Sequence, residues 1–260
     1  MKKISIVIPA YNEEKRIGKT LKNYLEYFRK LKAQKLLEYE ILVVINNTTD
    51  KTEEVVKSFR NNEIRYLNFK KGGKGFAIIE GFRDALDRKN DLIGFVDADG
   101  ATPPNAFYWL VQNIGNYDGV IASRWMKKSK IIVKQNLKRR ILSRGFNFTV
   151  RSLFMFPYQD TQCGAKLFKR EVIEIILNEL SLTHWAFDIN LLFSARQKGF
   201  RIKEFPTIWE DKDESKVSSS KTSVQMFLGI LRLRLIYSPF EKLLRPVKFI
   251  LVLGDRLVNG

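Results

Sequence analysis

Short apolar runs rich in β-branched residues recur along the first part of the chain, and a polar cluster stops each one. Ile4-Ser5-Ile6-Val7-Ile8 is closed by Pro9, Ile41-Leu42-Val43-Val44-Ile45 by Asn46, and Leu92-Ile93-Gly94-Phe95-Val96 by Asp97. Runs this short, bounded by breakers, read as buried strands. Helical spacing fills the intervals. From Glu13 to about Leu37, the residues Ile17, Leu21, Tyr24, Leu25, Phe28 and Leu31 fall on one face. Further helices are expected over about Lys51–Arg60 and Phe76–Arg88, with another strand at Ile64–Leu67. Strands alternating with helices predict an α/β chain with a mostly parallel sheet covered on both faces. Ligands bind such sheets at the carboxyl ends of the strands. The polar clusters Pro9–Glu13, Asn46–Asp50 and Asp97–Asp99 all fall at those ends.

The second half is less regular. Val120-Ile121-Ala122 reads as a strand ending at Ser123-Arg124, and strands are expected near Ala165–Phe168 and Arg201–Phe205. Helices are expected over about Leu137–Phe154, Glu171–Leu180 and Phe187–Lys198. Lys127 to Arg140 is strongly basic, and Asp211 to Thr222 is polar without apolar periodicity, which reads as a loop. From Val224 onward Phe227, Leu228, Leu231 and Leu235 mix with arginines, and Pro239 and Pro246 divide the tail into short amphipathic pieces. The expected organisation is a catalytic domain over 1–222 and an amphipathic helical segment over 223–260, which associates with a membrane or packs on the domain.

Composition narrows the classes. A chain of 260 residues with 45% apolar residues and 19 Phe buries a substantial core and is not disordered. The excess of 46 Lys+Arg over 28 Asp+Glu, a formal charge of +18, favours phosphate-bearing partners or an anionic surface. With Cys163 as the only cysteine there is no intramolecular disulfide, which fits an intracellular protein, and with His184 as the only histidine the usual Cys/His zinc sites are excluded. Cys163 itself reads as an inert, packed residue, and His184 and Trp185 as packing or surface residues. The start at Met1-Lys2-Lys3 lacks a secretory apolar region, and no apolar stretch reaches the roughly 18–20 residues a membrane span needs.

Asp97-Ala98-Asp99 carries the sharpest chemistry. Two carboxylates just past a strand end face one site, and their repulsion is relieved by a divalent cation on hard oxygen ligands, Mg²⁺ or Mn²⁺, which also bridges diphosphate oxygens. A solvated turn with two acids is the plainer alternative. Gly72-Gly73-Lys74-Gly75 before a helix lets backbone amides and an ammonium approach a phosphate, although it lacks the spacing of a P-loop.

Taken in order, these segments resemble glycosyltransferase family 2. Val7-Ile8-Pro9-Ala10-Tyr11-Asn12-Glu13-Glu14 is similar to the family's opening strand, and the Lys74-Gly75 turn and Asp97-Ala98-Asp99 follow in its order. Asp160-Thr161-Gln162-Cys163-Gly164-Ala165-Lys166-Leu167-Phe168 and Trp185-Ala186-Phe187-Asp188 resemble its dolichyl-phosphate β-glucosyltransferase branch, to which the dolichyl-phosphate mannose synthases are close cousins. The likeness spans roughly Ile4 to Lys216. It implies a GT-A (Rossmann-like) fold and inverting transfer from a nucleotide diphospho-sugar. By this resemblance Pro9, Ala10, Tyr11, Asn12 and Glu13 line the nucleotide pocket, Asp97, Ala98 and Asp99 form the metal motif with both acids as ligands, and Lys74 lies near the phosphates. Arg124 and Lys216 meet phosphate, and Gln162 and Asp188 shape the sugar pocket. One departure stands out. Family members commonly carry Asp-Asp-Gly-Ser where this chain has Asn46-Asn47-Thr48, so Asn46 inherits the base contact, and the choice between uracil and guanine stays open.

The function so implied is transfer of a sugar, glucose from UDP-glucose, onto a dolichyl or polyprenyl phosphate by an enzyme peripheral to the cytoplasmic face of a membrane. The same reaction with GDP-mannose is the nearest alternative, and transfer to a hydroxyl a further one. A hydroxyl needs a general base, whereas a phosphate is already anionic, so a lipid-phosphate acceptor makes Asp188 less essential as a base than Asp97 and Asp99 are as ligands. The alternative roles for Asp188 are holding a basic neighbour and capping the helix near Phe187. A basic nucleic-acid-binding module is the alternative outside enzymes. The aromatics lie in apolar periodic segments and no nucleic-acid motif is present, so nucleic acid is not an expected partner.

Overall fold

The computed structural model describes residues 1–133, 137–180, 186–211, 229–230 and 233–234, with the backbone alone at 137–139. The anticipated strands form around three adjacent parallel ones: β1 (Lys3–Ala10), β2 (Glu38–Asn46) and β4 (Leu92–Val96). With β3 (Ile64–Phe69), β5 (Gly119–Ser123), β7 (Ala165–Lys169) and β8 (Ile202–Pro206) they make a seven-stranded sheet in the order β3-β2-β1-β4-β7-β5-β8. All neighbours are parallel except β7, which runs antiparallel between β4 and β5. A second, two-stranded sheet, unanticipated in the sequence, pairs β6 (Lys130–Ile131) with β9 (Ile208–Trp209).

Alternation along β1 sorts its side chains between two apolar layers. Ile4, Ile6 and Ile8 meet the face of α1 (Ile17–Ala33) and α4 (Pro104–Asn113), while Val7 meets α3 (Lys74–Asp87) on the other face. The second layer also holds α5 (Leu137–Phe154), α6 (Arg170–Ile176) and α7 (Phe187–Gln197). The remaining helix, α2 (Thr52–Ser58), lies on the α1 side through Val56. Close packing of α3 on β1 depends on Gly81, where a Cβ would lie 2.4 Å from Cγ1 of Val7.

The chain goes outward from β1 through β2 to β3, then returns to the other side of β1 as β4. This places a topological switch point between β1 and β4, the crevice where open α/β sheets bind ligands. The geometry opens it: β1 stays paired with β2 as far as Ala10↔Ile45, but its last partner on β4 is Val7↔Phe95.

Several helix boundaries differ from expectation, among them the end of α1 at Ala33 rather than about Leu37 and the start of α3 at Lys74 rather than Phe76. α1 starts at Ile17 rather than Glu13, preceded by a turn in which the Glu13 carbonyl accepts the amides of Arg16 and Ile17. The helix expected over Glu171–Leu180 ends at Ile176 and tightens into a 3₁₀ turn, Leu177–Glu179. The anticipated loop from Asp211 and the amphipathic segment 223–260 lie largely outside the described residues. Within that segment Ile230 and Leu233 are buried in the α3–α7 layer.

Candidate active site

β1 delivers Pro9 and Ala10 as buried strand residues and then turns sharply at Asn12, whose φ of 52° is left-handed, a region asparagine tolerates. The turn is held by the loop after β2. Oδ1 of Asn12 accepts the Thr49 amide at 2.8 Å, the Glu13 amide donates to Oγ1 of Thr52 at 2.7 Å, and the Glu14 amide donates to Oδ2 of Asp50 at 3.1 Å. Together Tyr11, Asn12, Glu13, Glu14, Lys15, Arg16 and Asp50 line a cleft of about 350 Å³. Tyr11 is 45% exposed at its mouth. Glu13 holds Arg16 through two short bonds, 2.7 Å to Nε and 2.6 Å to Nη2.

Asn46 ends β2 and is buried. Its Nδ2 donates to the Ala10 carbonyl at 3.0 Å and its Oδ1 accepts the Gly73 amide at 3.0 Å. The side chain therefore ties the end of β1 to the glycine turn. An aspartate there would lose the first bond and set a carboxylate against a carbonyl, which gives the departure from Asp a structural reason. Gly73, with φ of 123°, takes a conformation closed to other residues and launches α3 so that Lys74 is its first residue.

Asp97 follows β4 directly. Its backbone amide donates to the Gly164 carbonyl at 3.0 Å, and its carboxylate lies against Gly164 so closely that a Cβ there would fall 1.8 Å from Oδ2. Lys74 reaches Oδ1 of Asp97 at 2.7 Å and lies 3.8 Å from Oδ2 of Asp188. On the far side Lys166, fully buried, contacts Oδ1 of Asp188 at 2.6 Å and donates to the Cys163 carbonyl at 2.8 Å. The result is an alternating row, Asp97–Lys74–Asp188–Lys166. Burial raises the Asp188 carboxyl, but the ammonium groups of Lys166 and Lys74 outweigh it and hold the group below its ordinary value. The same carboxylates hold the Lys74 ammonium above its ordinary value against the opposing effect of burial.

Asp99 faces a different environment. Its Oδ1 accepts the Ala101 amide at 2.9 Å, and burial with the neighbouring Asp97 carboxylate pushes its carboxyl up to about 6. Ala98 between them is buried, its carbonyl accepting Oγ1 of Thr20 at 2.8 Å, so α1 fixes the motif's backbone. Two hard-oxygen donors whose charges strain one another suit a divalent cation. No group of three or more potential ligating side chains occurs among the described residues. A cation held by Asp97 and Asp99 therefore needs water or diphosphate oxygens to complete its shell.

Arg124, at the end of β5, forms a two-point pair with Asp160: 2.7 Å from Nε to Oδ2 and 2.9 Å from Nη2 to Oδ1. Glu204 on β8 accepts the Asp160 and Gln159 amides at 2.6 and 2.8 Å, and the Gln162 amide reaches Oδ1 of Asp160 at 3.3 Å. Against the cost of burial, Arg124 keeps Asp160 below the usual carboxylate range. Cys163 is buried with its thiol pushed up to about 12 by burial and by Asp160, as suits an inert residue.

The structure thus gathers Lys74, Asp97, Asp99 and Asp188 at the switch point, with the Tyr11–Glu13 cleft beside them and the Arg124–Asp160 pair within electrostatic reach of Asp97. Lys216, His184 and Trp185 lie outside the described residues. Lys166 escaped the reading of the sequence. The available signal was a lysine inside the apolar strand Ala165-Lys166-Leu167-Phe168, which demands an acidic partner when buried.

The profile of Glycosyl transferase family 2 matches residues 5–177. A dolichyl-phosphate β-glucosyltransferase of Dictyostelium discoideum is 32% identical over 90% of this chain and 74% of its own length. A Homo sapiens protein of the same name is 30% identical over 91% of this chain and 76% of its own. Among solved structures, glucosyl-3-phosphoglycerate synthase of Mycobacterium tuberculosis in complex with Mn²⁺ and UDP-glucose shares the fold with a TM-score of 0.64 at 18% identity, over 90% of this chain and 79% of that one. On the extent of the family match, and on relatives this similar over most of their length, the chain belongs to glycosyl transferase family 2.

Proposed function

We propose that this enzyme transfers a glucosyl residue from UDP-glucose, with inversion, onto a dolichyl or polyprenyl phosphate at the cytoplasmic surface of a membrane. The observation that carries this reading is the clamping of Asp188 between Lys166 and Lys74. A carboxylate held below its ordinary pKa by two ammonium groups is a poor general base, so the site suits an acceptor that needs none. The names of the relatives point the same way. No helix among the described residues is long and apolar enough to cross a membrane.

In this reading the nucleotide occupies the cleft of Tyr11, Asn12 and Glu13, its base stacking on Tyr11. Pro9, Ala10 and Asn46, at the ends of β1 and β2, border the nucleotide. Lys74 lies beside the diphosphate, Gln162 and Asp188 border the sugar, and Arg124 and Lys216 supply positive charge to phosphate. An acceptor phosphate oxygen attacks the anomeric carbon as the bond from that carbon to the UDP oxygen breaks, and the electron pair leaves with UDP. Near pH 7 the phosphate is largely doubly ionised, since its second pKa is about 6, so no proton must be removed during attack. Catalysis then rests on alignment of two anions and on fixed positive charge. Mg²⁺ or Mn²⁺ bound by Asp97 and Asp99 supplies charge neutralisation at the departing diphosphate.

GDP-mannose is the second reading, since Asn46 in place of the usual aspartate leaves the choice between uracil and guanine open. The test is organic-phase extraction of labelled product from UDP-glucose and GDP-mannose, each with polyprenyl phosphate, with and without Mn²⁺. Metal-dependent, lipid-soluble label from UDP-glucose supports the proposal. Label from GDP-mannose alone overturns the donor, and none from either overturns the acceptor.

A further inference from the structure

Asn46 is 2% exposed and does not contribute to the lining of the cleft, which is built from residues 11–16 and Asp50. Both ends of its amide are already engaged, Nδ2 by the Ala10 carbonyl and Oδ1 by the Gly73 amide, each at 3.0 Å. One partner only accepts and the other only donates, so the fold fixes the orientation of the amide. The edge of a base would have to displace one of these buried bonds to reach it, leaving a backbone group unpaired. The residue is therefore badly placed to read a base.

What it does hold is the turn before α3. The backbone of that turn lies on the end of β2: a Cβ at Gly72 would meet Cβ of Asn47 at 3.2 Å, and Asn46 accepts the Gly73 amide. The Gly73 carbonyl in turn accepts the Ala77 amide at 3.0 Å as the helix begins. Gly73 is thus gripped from both sides, and Lys74 follows it directly. From there the Lys74 ammonium reaches Asp97 at 2.7 Å and lies 5.6 Å from the centre of the Phe95 ring. At its other end the Asn46 amide holds Ala10, the last residue of β1 before Tyr11. One buried side chain so fixes the strand that enters the cleft relative to the helix that presents Lys74.

We infer that Asn46 is a positioning residue for the donor's diphosphate, acting through Lys74, and takes no part in choosing between uracil and guanine. This role rests on the reading of the cleft as a nucleotide site with Lys74 beside the diphosphate. Base selection then falls to groups that line the cleft.

A double-mutant cycle on nucleotide binding tests it, with UDP and GDP titrated calorimetrically into wild type, N46A, K74A and the double variant in saturating Mn²⁺. N46A should weaken UDP and GDP by the same factor, about tenfold, and K74A should weaken both as well. In the K74A background, N46A should cost less than about twofold further, because the group it positions is gone. A merely structural role predicts equal losses in both backgrounds, and additive losses of that kind overturn the inference. A shift of about tenfold or more in the ratio of UDP to GDP affinity in N46A overturns it too, by making Asn46 a reader of the base. Should N46A fail to fold, N46D takes its place in the same cycle, since it keeps an acceptor for the Gly73 amide and loses only the bond to Ala10. Binding of neither nucleotide to folded wild type would remove the nucleotide reading, and the inference with it. Failure of the cycle alone leaves that reading standing.

Discussion

At Asp97 and Asp99 two carboxylates share one small volume with opposite fates: Asp97 is paired with Lys74, and Asp99 is pushed up to about 6. If both ligate a cation, D97N and D99N should each weaken Mn²⁺ binding at least tenfold by calorimetry without unfolding the protein. Unchanged affinity in either variant removes that residue from the ligand set. Asp160 has the reverse character, a carboxyl kept below its ordinary value by Arg124. A depressed folded pKa means that the unfolded chain binds more protons in acid, so the stability from this group is present above the ordinary carboxylate pKa of about 4 and is lost as pH falls below it. D160N should therefore lower the urea midpoint at pH 7 and differ less from wild type near pH 3. A constant gap between the two would mean that the ionised pair contributes nothing specific. Lys166 shows why part of the site was hidden in the sequence. The Asp-x-Asp motif lies at a legible strand end, but a lysine in a strand announces a partner only when the chain's return brings Asp188 to it.

Among the elements, β1, β2 and β4 were plain in the sequence because their apolar runs are contiguous and their ends carry breakers. The antiparallel insertion of β7 between β4 and β5 was not, because strand order is a long-range pairing that no local pattern records. The short β6–β9 pair was missed for the same reason, having two residues on each strand. Helix packing is equally non-local. Gly81 sits in the middle of α3 for no reason visible in its neighbours, and the structure supplies one in Val7. G81A should overpack this contact and cost about 1–3 kcal/mol by chemical denaturation, with donor affinity little changed. A neutral or stabilising effect would mean that α3 shifts freely on the sheet. Gly164 tests an element's fit to the chemistry itself, since the added Cβ would meet the Asp97 carboxylate. G164A should lose activity by two orders of magnitude or more while melting as a folded protein, and near-normal turnover would show that the carboxylate position is not critical.

The whole molecule joins a sheet with its switch point between β1 and β4 to a row of alternating charges across that point. Its formal charge of +18 suits a substrate pair in which donor and acceptor are both phosphorylated. The central claim is that the acceptor is the phosphate itself and attacks without a base. The most direct measurement is the rate of UDP release from UDP-glucose with a short-chain prenyl phosphate, compared with the same chain as its alcohol. Release should depend on the phosphate, with the alcohol at least a thousandfold poorer. Comparable rates for the two would contradict the account and return Asp188 to the role of general base.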